Sequence, residues 1–270
     1  MAADAPSAKA IRVAPISRQD ADRLVRRVHY SGKVVPNAQL HFGVFLGDRL
    51  EGAMQLGPSM DNRKSLGLVR GTAWNGFLEL NRMAFSDRLP RNSESRALAV
   101  AFRMIRKAYP HIEWIQSFAD GSQCGDGTIY RASGFVLTGI APNKTLIEFP
   151  DGTRIAKLVL TALWDVESVR DFCARLGVPH KPRSLTEWRA LGGKPLPGFQ
   201  LRYVYFLNPA ARERLTVPVL PFGKIDALGA GMYRGERVTR SSRAKGQDAG
   251  HPPALGGSTP TRTLHDQPEA

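Results

Sequence analysis

The sequence predicts a mixed α/β domain over residues 1–233, followed by a disordered, mildly basic tail over 234–270. Stretches of strand period and of helix period alternate between short Gly/Pro breaks as far as Tyr233, the pattern of a sheet with flanking helices. The chain has 270 residues, 42% of them hydrophobic, enough to bury a sizeable core. After Tyr233 the composition turns to Arg, Ser, Gly, Pro, Thr and Gln, with little apolar surface to offset the entropy of ordering.

The elements follow in order. Ile11 to Ile16 reads as a strand, and Ser17-Arg18-Gln19-Asp20 resembles a capping box with Asp20 at the usual Glu position. The next helix carries Ala21, Leu24, Val25 and Val28 on one face, runs into His29-Tyr30 and is stopped by Gly32 and Pro36. His41–Leu46 and Leu50–Leu56 form a hairpin around Gly47-Asp48. Phe77 to Phe85 is a further strand, ahead of a loop with Pro90. From Ser93 to Ala108 apolar residues recur at three and four without Gly or Pro, which predicts a helix. Glu113 to Ala119 reads as a buried strand. A glycine-rich segment, 120–127, then leads to a short helix over Thr128 to Ala132, closed by Gly134. Leu146–Phe149 and Arg154–Leu160 pair around Pro150-Asp151-Gly152, short helices follow near 169–176 and 185–191, and Gln200 to Leu207 is the last strong strand.

Charge narrows the partners. Lys and Arg number 38 against 24 Asp and Glu, a formal net of +14, and an excess of that size favours a polyanion. It is not confined to the tail: Arg23, Arg26 and Arg27 share one helix, Arg82, Arg88, Arg91 and Arg96 surround one loop, and Arg103, Arg106 and Lys107 follow. No apolar run approaches the ~20 residues that span a bilayer. Met1 to Lys9 lacks the apolar stretch of a signal peptide, and two cysteines are too few for a disulfide framework. A soluble cytoplasmic protein that binds nucleic acid and no membrane is expected.

The strand, loop, amphipathic helix, strand, glycine loop and Tyr130-Arg131-Ala132-Ser133-Gly134-Phe135 resemble the GNAT acyltransferases. That resemblance implies a mixed, mostly antiparallel sheet with splayed central strands, and a tyrosine that protonates the leaving group. A longer likeness runs through His29-Tyr30-Ser31, Leu40 to Phe45, Leu78 to Phe85, Leu89 to Arg96, Ser117 to Gly121 and on to Tyr130, with Leu201 to Leu207 and Val217 to Phe222 behind them. These blocks, spanning about residues 11–233, resemble the phage Mom family. The resemblance implies conversion of adenine in duplex DNA to N6-carbamoylmethyladenine, which protects phage DNA from host restriction.

The resemblance also implies that His29, Tyr30, Asp120 and Tyr130 are functional. Asp120 ends a buried strand where open α/β sheets carry their sites, and His29 titrates near neutrality. Each has an ordinary reading as well: His29 on the helix dipole, Tyr30 and Tyr130 as core aromatics, Asp120 holding an Asp-Gly turn. The same four are N and O donors of types that hold iron, although they form no recognised facial triad.

The donor loop departs from the acyltransferase pattern. Arg91-Asn92-Ser93-Glu94-Ser95-Arg96 has no glycine, and Glu94 stands where a pyrophosphate would meet the helix start. Arg82, Arg91, Asn92, Ser93, Ser95 and Arg96 are the expected donor-binding residues. The donor is an activated glycyl or acyl group, carried by CoA (acetyl-CoA in the superfamily) or by an aminoacyl-tRNA. Ser93 and Glu94 also read as plain helix capping. An adenine amine is buried in the duplex stack, so the base must be extruded, and His41, Phe42, Trp74, Asn75 and Phe77 are candidates to hold it. Two other functions stay open: an N-acyltransferase for a protein or small-molecule amine, and a non-catalytic nucleic-acid-binding protein.

Overall fold

A computed structural model describes residues 7–233 and 235–238. In chain order its elements are β1 (Ile11–Pro15), α1 (Arg18–Val28), β2 (Leu40–Leu46), β3 (Arg49–Gly57), α2 (Asn62–Leu66), β4 (Phe77–Phe85), α3 (Ser93–Ala108), β5 (Trp114–Gly121), α4 (Thr128–Ala132) and β6 (Val136–Pro142). There follow β7 (Leu146–Glu148), β8 (Arg154–Ala156), α5 (Lys157–Leu160), α6 (Glu167–Arg175), α7 (Leu185–Ala190), β9 (Lys194–Pro195), β10 (Phe199–Phe206), α8 (Gly223–Ala227), β11 (Met232–Tyr233) and β12 (Glu236–Arg237). The tail expected from 234 onward lies outside the described residues, apart from 235–238, where β12 pairs with β11.

Seven strands form the main sheet in the order β1-β2-β3-β4-β5-β10-β6. Every neighbouring pair is antiparallel except β4 and β5. That parallel ladder joins only Phe77–Glu79 to Trp114–Gln116. Beyond it the strands part, as the acyltransferase-like expectation requires. The mixed, mostly antiparallel sheet with flanking helices is therefore the fold.

Local chemistry explains the flanking helices. Ser17 Oγ accepts the Asp20 N–H at 3.0 Å and donates to the Asp20 carboxylate at 2.7 Å, so Ser17 caps the helix while the shorter aspartate bonds the cap hydroxyl, where the glutamate of a capping box takes the backbone N–H. Ala21, Leu24 and Val25 turn inward, and α1 ends where the His29 N–H meets Val25 O and Gly32 takes φ 60°. On the opposite face of the sheet, α3 buries Ala97, Leu98, Ala101, Phe102 and Ile105 against Met54, Leu80, Ile115 and Leu137. Burying a Leu, Ile or Phe side chain of this kind contributes about 2 kcal/mol. No described helix is long and apolar enough to cross a membrane.

Between β6 and β10 the chain builds a satellite with a core of its own. A three-stranded sheet, β8-β7-β9, packs with α5, α6 and α7 around Ile147, Phe149, Leu160, Phe172 and Trp188. The strand expected over Arg154–Leu160 stops at Ala156. Lys157–Leu160 coils instead, which buries Leu160 and lets its carbonyl accept the Trp188 indole N–H at 3.3 Å. Both ends of the satellite are fixed at the end of β5: Asn143 N–H bonds Gly198 O at 2.8 Å, and Phe199 pairs with both Gly121 and Pro142. Gly198 (φ 144°) passes so near that a Cβ would lie 2.5 Å from Ser122 Cα.

Candidate active site

The parting of β4 and β5 opens the sheet at one place, and the expected side chains gather on its two sides. Along β5, Ile115 and Ala119 point into the core under α3, while Gln116 and Asp120 point to the other face. There the segment after α1 delivers His29 and Tyr30. The Tyr30 hydroxyl donates to Asp120 Oδ2 at 3.3 Å, and the His29 and Tyr30 rings lie 4.3 Å apart. Tyr130, from α4, lies on the α3 side, packed against Phe135 and Tyr203 at 5.2 and 5.3 Å between centroids. Gly127 sets the start of α4. Its φ of 86° and the Tyr203 ring, 2.4 Å from where a Cβ would stand, admit no side chain. The Tyr203 hydroxyl then donates to Asp126 O at 2.5 Å.

Asp120 is a partly buried carboxylate held by protein donors. Oδ1 accepts the Ser122 N–H at 3.0 Å, the Ser122 hydroxyl and the Gln200 amide at 3.0 Å; Oδ2 accepts the Gln123 amide at 2.9 Å and Tyr30. The bond to the N–H two residues on is an Asx turn, so the turn reading of Asp-Gly is correct as far as it goes. The bonds from Tyr30 and Gln200, both distant in sequence, exceed it.

Around this anion the protonation states are set by burial and charge. Burial, with the Arg82 guanidinium adding and Asp120 opposing, lowers the His29 imidazole to about 4 and keeps it neutral at pH 7. Its tautomer follows from geometry. Nδ1 accepts the Ser31 backbone N–H at 3.2 Å and lies 2.8 Å from the Ser31 hydroxyl, which itself accepts from Lys33 N–H. The ring proton therefore sits on Nε2. Tyr30 is half exposed, yet burial of its hydroxyl end and the neighbouring Asp120 raise it well above the usual phenol range. Burial also raises Tyr130, to about 12, against a hydrogen bond from Ser117, with Cys124 and Glu79 adding. Both phenols thus hold their protons at neutral pH. Cys124, in the glycine-rich loop, is raised by burial and by Asp120.

As arranged, the four ligand types do not fit a cation. The aspartate oxygens are already filled by protein donors, the Arg82 guanidinium adjoins them, and Tyr130 lies across the sheet among Phe135 and Tyr203. Among the described residues no group of three or more His, Cys, Asp or Glu side chains is set to hold an ion.

The expected donor residues divide. Asn92, Ser95 and Arg96 line an open groove of about 450 Å³ along α3, with Lys9, Arg103 and Ser133. Asn92 takes the left-handed conformation (φ 68°) that a glycine would occupy elsewhere. Ser93 is buried and donates to Pro90 O at 2.6 Å, so it serves the loop itself. Arg91 is exposed beside the groove and does not line it. Arg82 belongs to the His29 cluster instead, where its guanidinium donates to Lys33 O at 2.9 Å and to Asn81 O at 2.7 Å.

Of the side chains expected to hold a base, Phe42 and Phe77 are 5% and 3% exposed, and Phe77 stacks on Trp114. His41 meets Gln55 at 3.4 Å beneath α1. Trp74 is 62% exposed, but Trp74 and Asn75 precede Phe77, which pairs with Trp114. Asp120 lies six residues further along β5, about 20 Å at strand rise. The residues that sequence reasoning missed are Ser31, Ser117, Ser122, Gln123, Cys124 and Gln200. Asp120-Gly121-Ser122 carried a signal for an Asx turn; Gln200 carried none, since only the β5–β10 register sets it opposite Asp120.

The sheet thus splits at a cluster of titratable side chains, and a groove carrying Lys9, Arg96 and Arg103 runs along α3. Residues 10–224 match the Mom protein family model, and the chain belongs to that family. Methylcarbamoylase Mom of Escherichia phage Mu is 38% identical over 208 residues, covering 77% of this chain and 80% of that protein. Among solved structures, the spermidine/spermine N-acetyltransferase SpeG of Vibrio cholerae has 8% identity and a TM-score of 0.40, covering 76% of this chain and 98% of its own. The ribosomal-protein-S18-alanine N-acetyltransferase of Escherichia coli has 9% identity and a TM-score of 0.39, covering 73% of this chain and 94% of its own.

Proposed function

We propose that this chain modifies duplex DNA, converting adenine to N6-carbamoylmethyladenine through glycyl transfer to N6 and a rearrangement. Family membership and the phage methylcarbamoylase relative support the reaction class, and the +14 charge suits a polyanionic substrate. The observation that carries the reading is the gathering of His29, Tyr30, Asp120 and Tyr130 on the two sides of the β4–β5 split.

The mechanism assigns each group a task. The donor, an activated glycyl ester or thioester, lies along the α3 groove with its carbonyl in the split. The extruded adenine lies on the Asp120 face. The Tyr30–Asp120 contact, at 3.3 Å, is the longest of the aspartate's five bonds and the one a substrate N–H displaces. N6 attacks the carbonyl carbon, and His29 Nε2–H donates to the oxyanion. Asp120 accepts the proton that N6 loses. Tyr130 protonates the departing oxygen or sulfur and regains a proton from solvent, to which Asp120 releases the one taken from N6, so the balance closes.

The product of that step, N6-glycyladenine, is an isomer of N6-carbamoylmethyladenine. The free glycyl amine attacks C6 through a five-membered spiro ring. The C6–N6 bond then breaks, and the original nitrogen, taking up the proton that the attacking amine gives up, leaves as the terminal amide. An isotopic label on the adenine amine tests both steps. Nucleoside mass spectrometry should find a species heavier by one glycine residue with the label in its amide. A label that stays on the ring refutes the rearrangement, and unchanged DNA from the folded protein supplied with host extract refutes the function.

A further inference from the structure

A large apolar side chain stands open to solvent on an interior strand of the sheet. Phe118 is 43% exposed on β5, fifth of seven strands. It shares with Asp120 the face opposite α3, about 6.6 Å apart along the strand, where Gln116 is covered by Ser59 and Ser65. An aromatic ring on a central strand is ordinarily part of a core, and no ring contact or hydrophobic cluster of the described residues includes it. Its partner across the ladder is Arg202, on β10. That guanidinium is half buried and held by Thr138, at 3.1 Å to Oγ1 and 3.0 Å to the carbonyl. Among the described residues it forms no ion pair. A partly desolvated cation without a carboxylate suits an arriving anion.

An open aromatic plane, an unpaired guanidinium one strand away and a carboxylate two residues along match the parts of one nucleotide. We propose that Phe118 and Arg202 form the acceptor subsite, in which the extruded adenine stacks on the Phe118 ring while Arg202 holds an adjoining phosphate. This rests on the function proposed above and names the surface that presents the base to Asp120. The subsite replaces the five side chains expected from sequence, which the core or the opposite end of the sheet withholds.

The test uses the full chain. Binding of an oligo(dA) single strand is measured for wild type, Phe118→Ala, Phe118→Trp, Arg202→Ala and Trp74→Ala, alongside thermal unfolding of each. Stacking of one base predicts about a tenfold or greater loss for Phe118→Ala, with recovery in Phe118→Trp. Arg202→Ala should weaken binding and flatten its salt dependence by about one phosphate contact, while Trp74→Ala stays near wild type. The fraction of modified adenine in plasmid DNA from expressing cells should fall in the same order. If wild type modifies DNA and a folded Phe118→Ala binds and modifies within twofold of it, the subsite is wrong and the function stands. If wild type modifies no DNA when supplied with donor, the function fails and the subsite with it.

Discussion

Acidification should expose the cost of keeping His29 neutral. In the unfolded chain its imidazole titrates at 6.5; in the folded protein, burial and Arg82 bring it to about 4. A group whose folded pKa is depressed contributes its full stability above the unfolded value and loses it as pH falls through the folded one. Between pH 6.5 and 4 the unfolded state therefore binds a proton that the folded state refuses. At about 1.4 kcal/mol per tenfold difference in proton affinity the gap corresponds to about 3 kcal/mol, and partial access of water to the ring reduces it to between about 1.5 and 3 kcal/mol. Urea unfolding of wild type and His29→Gln at pH 7, 6, 5 and 4 isolates this contribution, because other acid-sensitive groups are common to both. Wild type should lose that much more stability than the variant over the range, and the imidazole resonance should titrate near 4. Parallel stability curves, or a ring midpoint near 6.5, would refute the reasoning.

Three further outcomes follow from packing and charge. Gly127→Ala should destabilise the protein by about 2–4 kcal/mol, since it forces a side chain at φ 86° into the Tyr203 ring; calorimetry reads this, and a change below about 1 kcal/mol contradicts it. Trp188→Ala should cost the satellite about 3–5 kcal/mol, seen as faster hydrogen exchange over 146–195 with β1–β5 still protected; exchange rising equally throughout would mean the two cores unfold as one. Arg96→Glu with Arg103→Glu should raise the KM for donor at least tenfold with kcat held at saturation, because both line the α3 groove; an unchanged KM moves the donor elsewhere.

The elements read most accurately were those whose signal is local. Ser93–Ala108 occupies its expected span because its apolar period lies within it, although the capping read at Ser93 and Glu94 does not form: Asn92 is the N-cap, without a side-chain bond, and Ser93 turns back to Pro90 O. Val136–Pro142 went unread, since Gly139 and Pro142 blur its alternation and its hydrogen bonds go to β10, far along the chain. The satellite's separate core was hidden for the same reason: periodicity says which face is apolar and not which partner covers it. At the site, sequence brings His29, Tyr30, Asp120 and Tyr130 forward; the structure joins the first three and sets Tyr130 on the other side of the sheet. Arg82 was grouped with Arg91 and Arg96 by proximity in sequence, whereas its strand turns it toward His29. Phe118 falls within a strand that sequence reads as buried; only the strand's covering layers reveal which of its faces stays open.

β6 and β10 are adjacent strands whose ends meet, Pro142 opposite Phe199, with Asn143 and Gly198 hydrogen-bonded behind them. Topologically the whole satellite is the loop of one hairpin. The entropy of closing such a loop grows only with the logarithm of its length, about 0.6 kcal/mol per doubling, and this loop carries a core of its own. Residues can be added to it, removed from it or exchanged within it while Gln200 stays opposite Asp120. Evolution can thus rewrite the satellite freely without renegotiating the chemistry at its root.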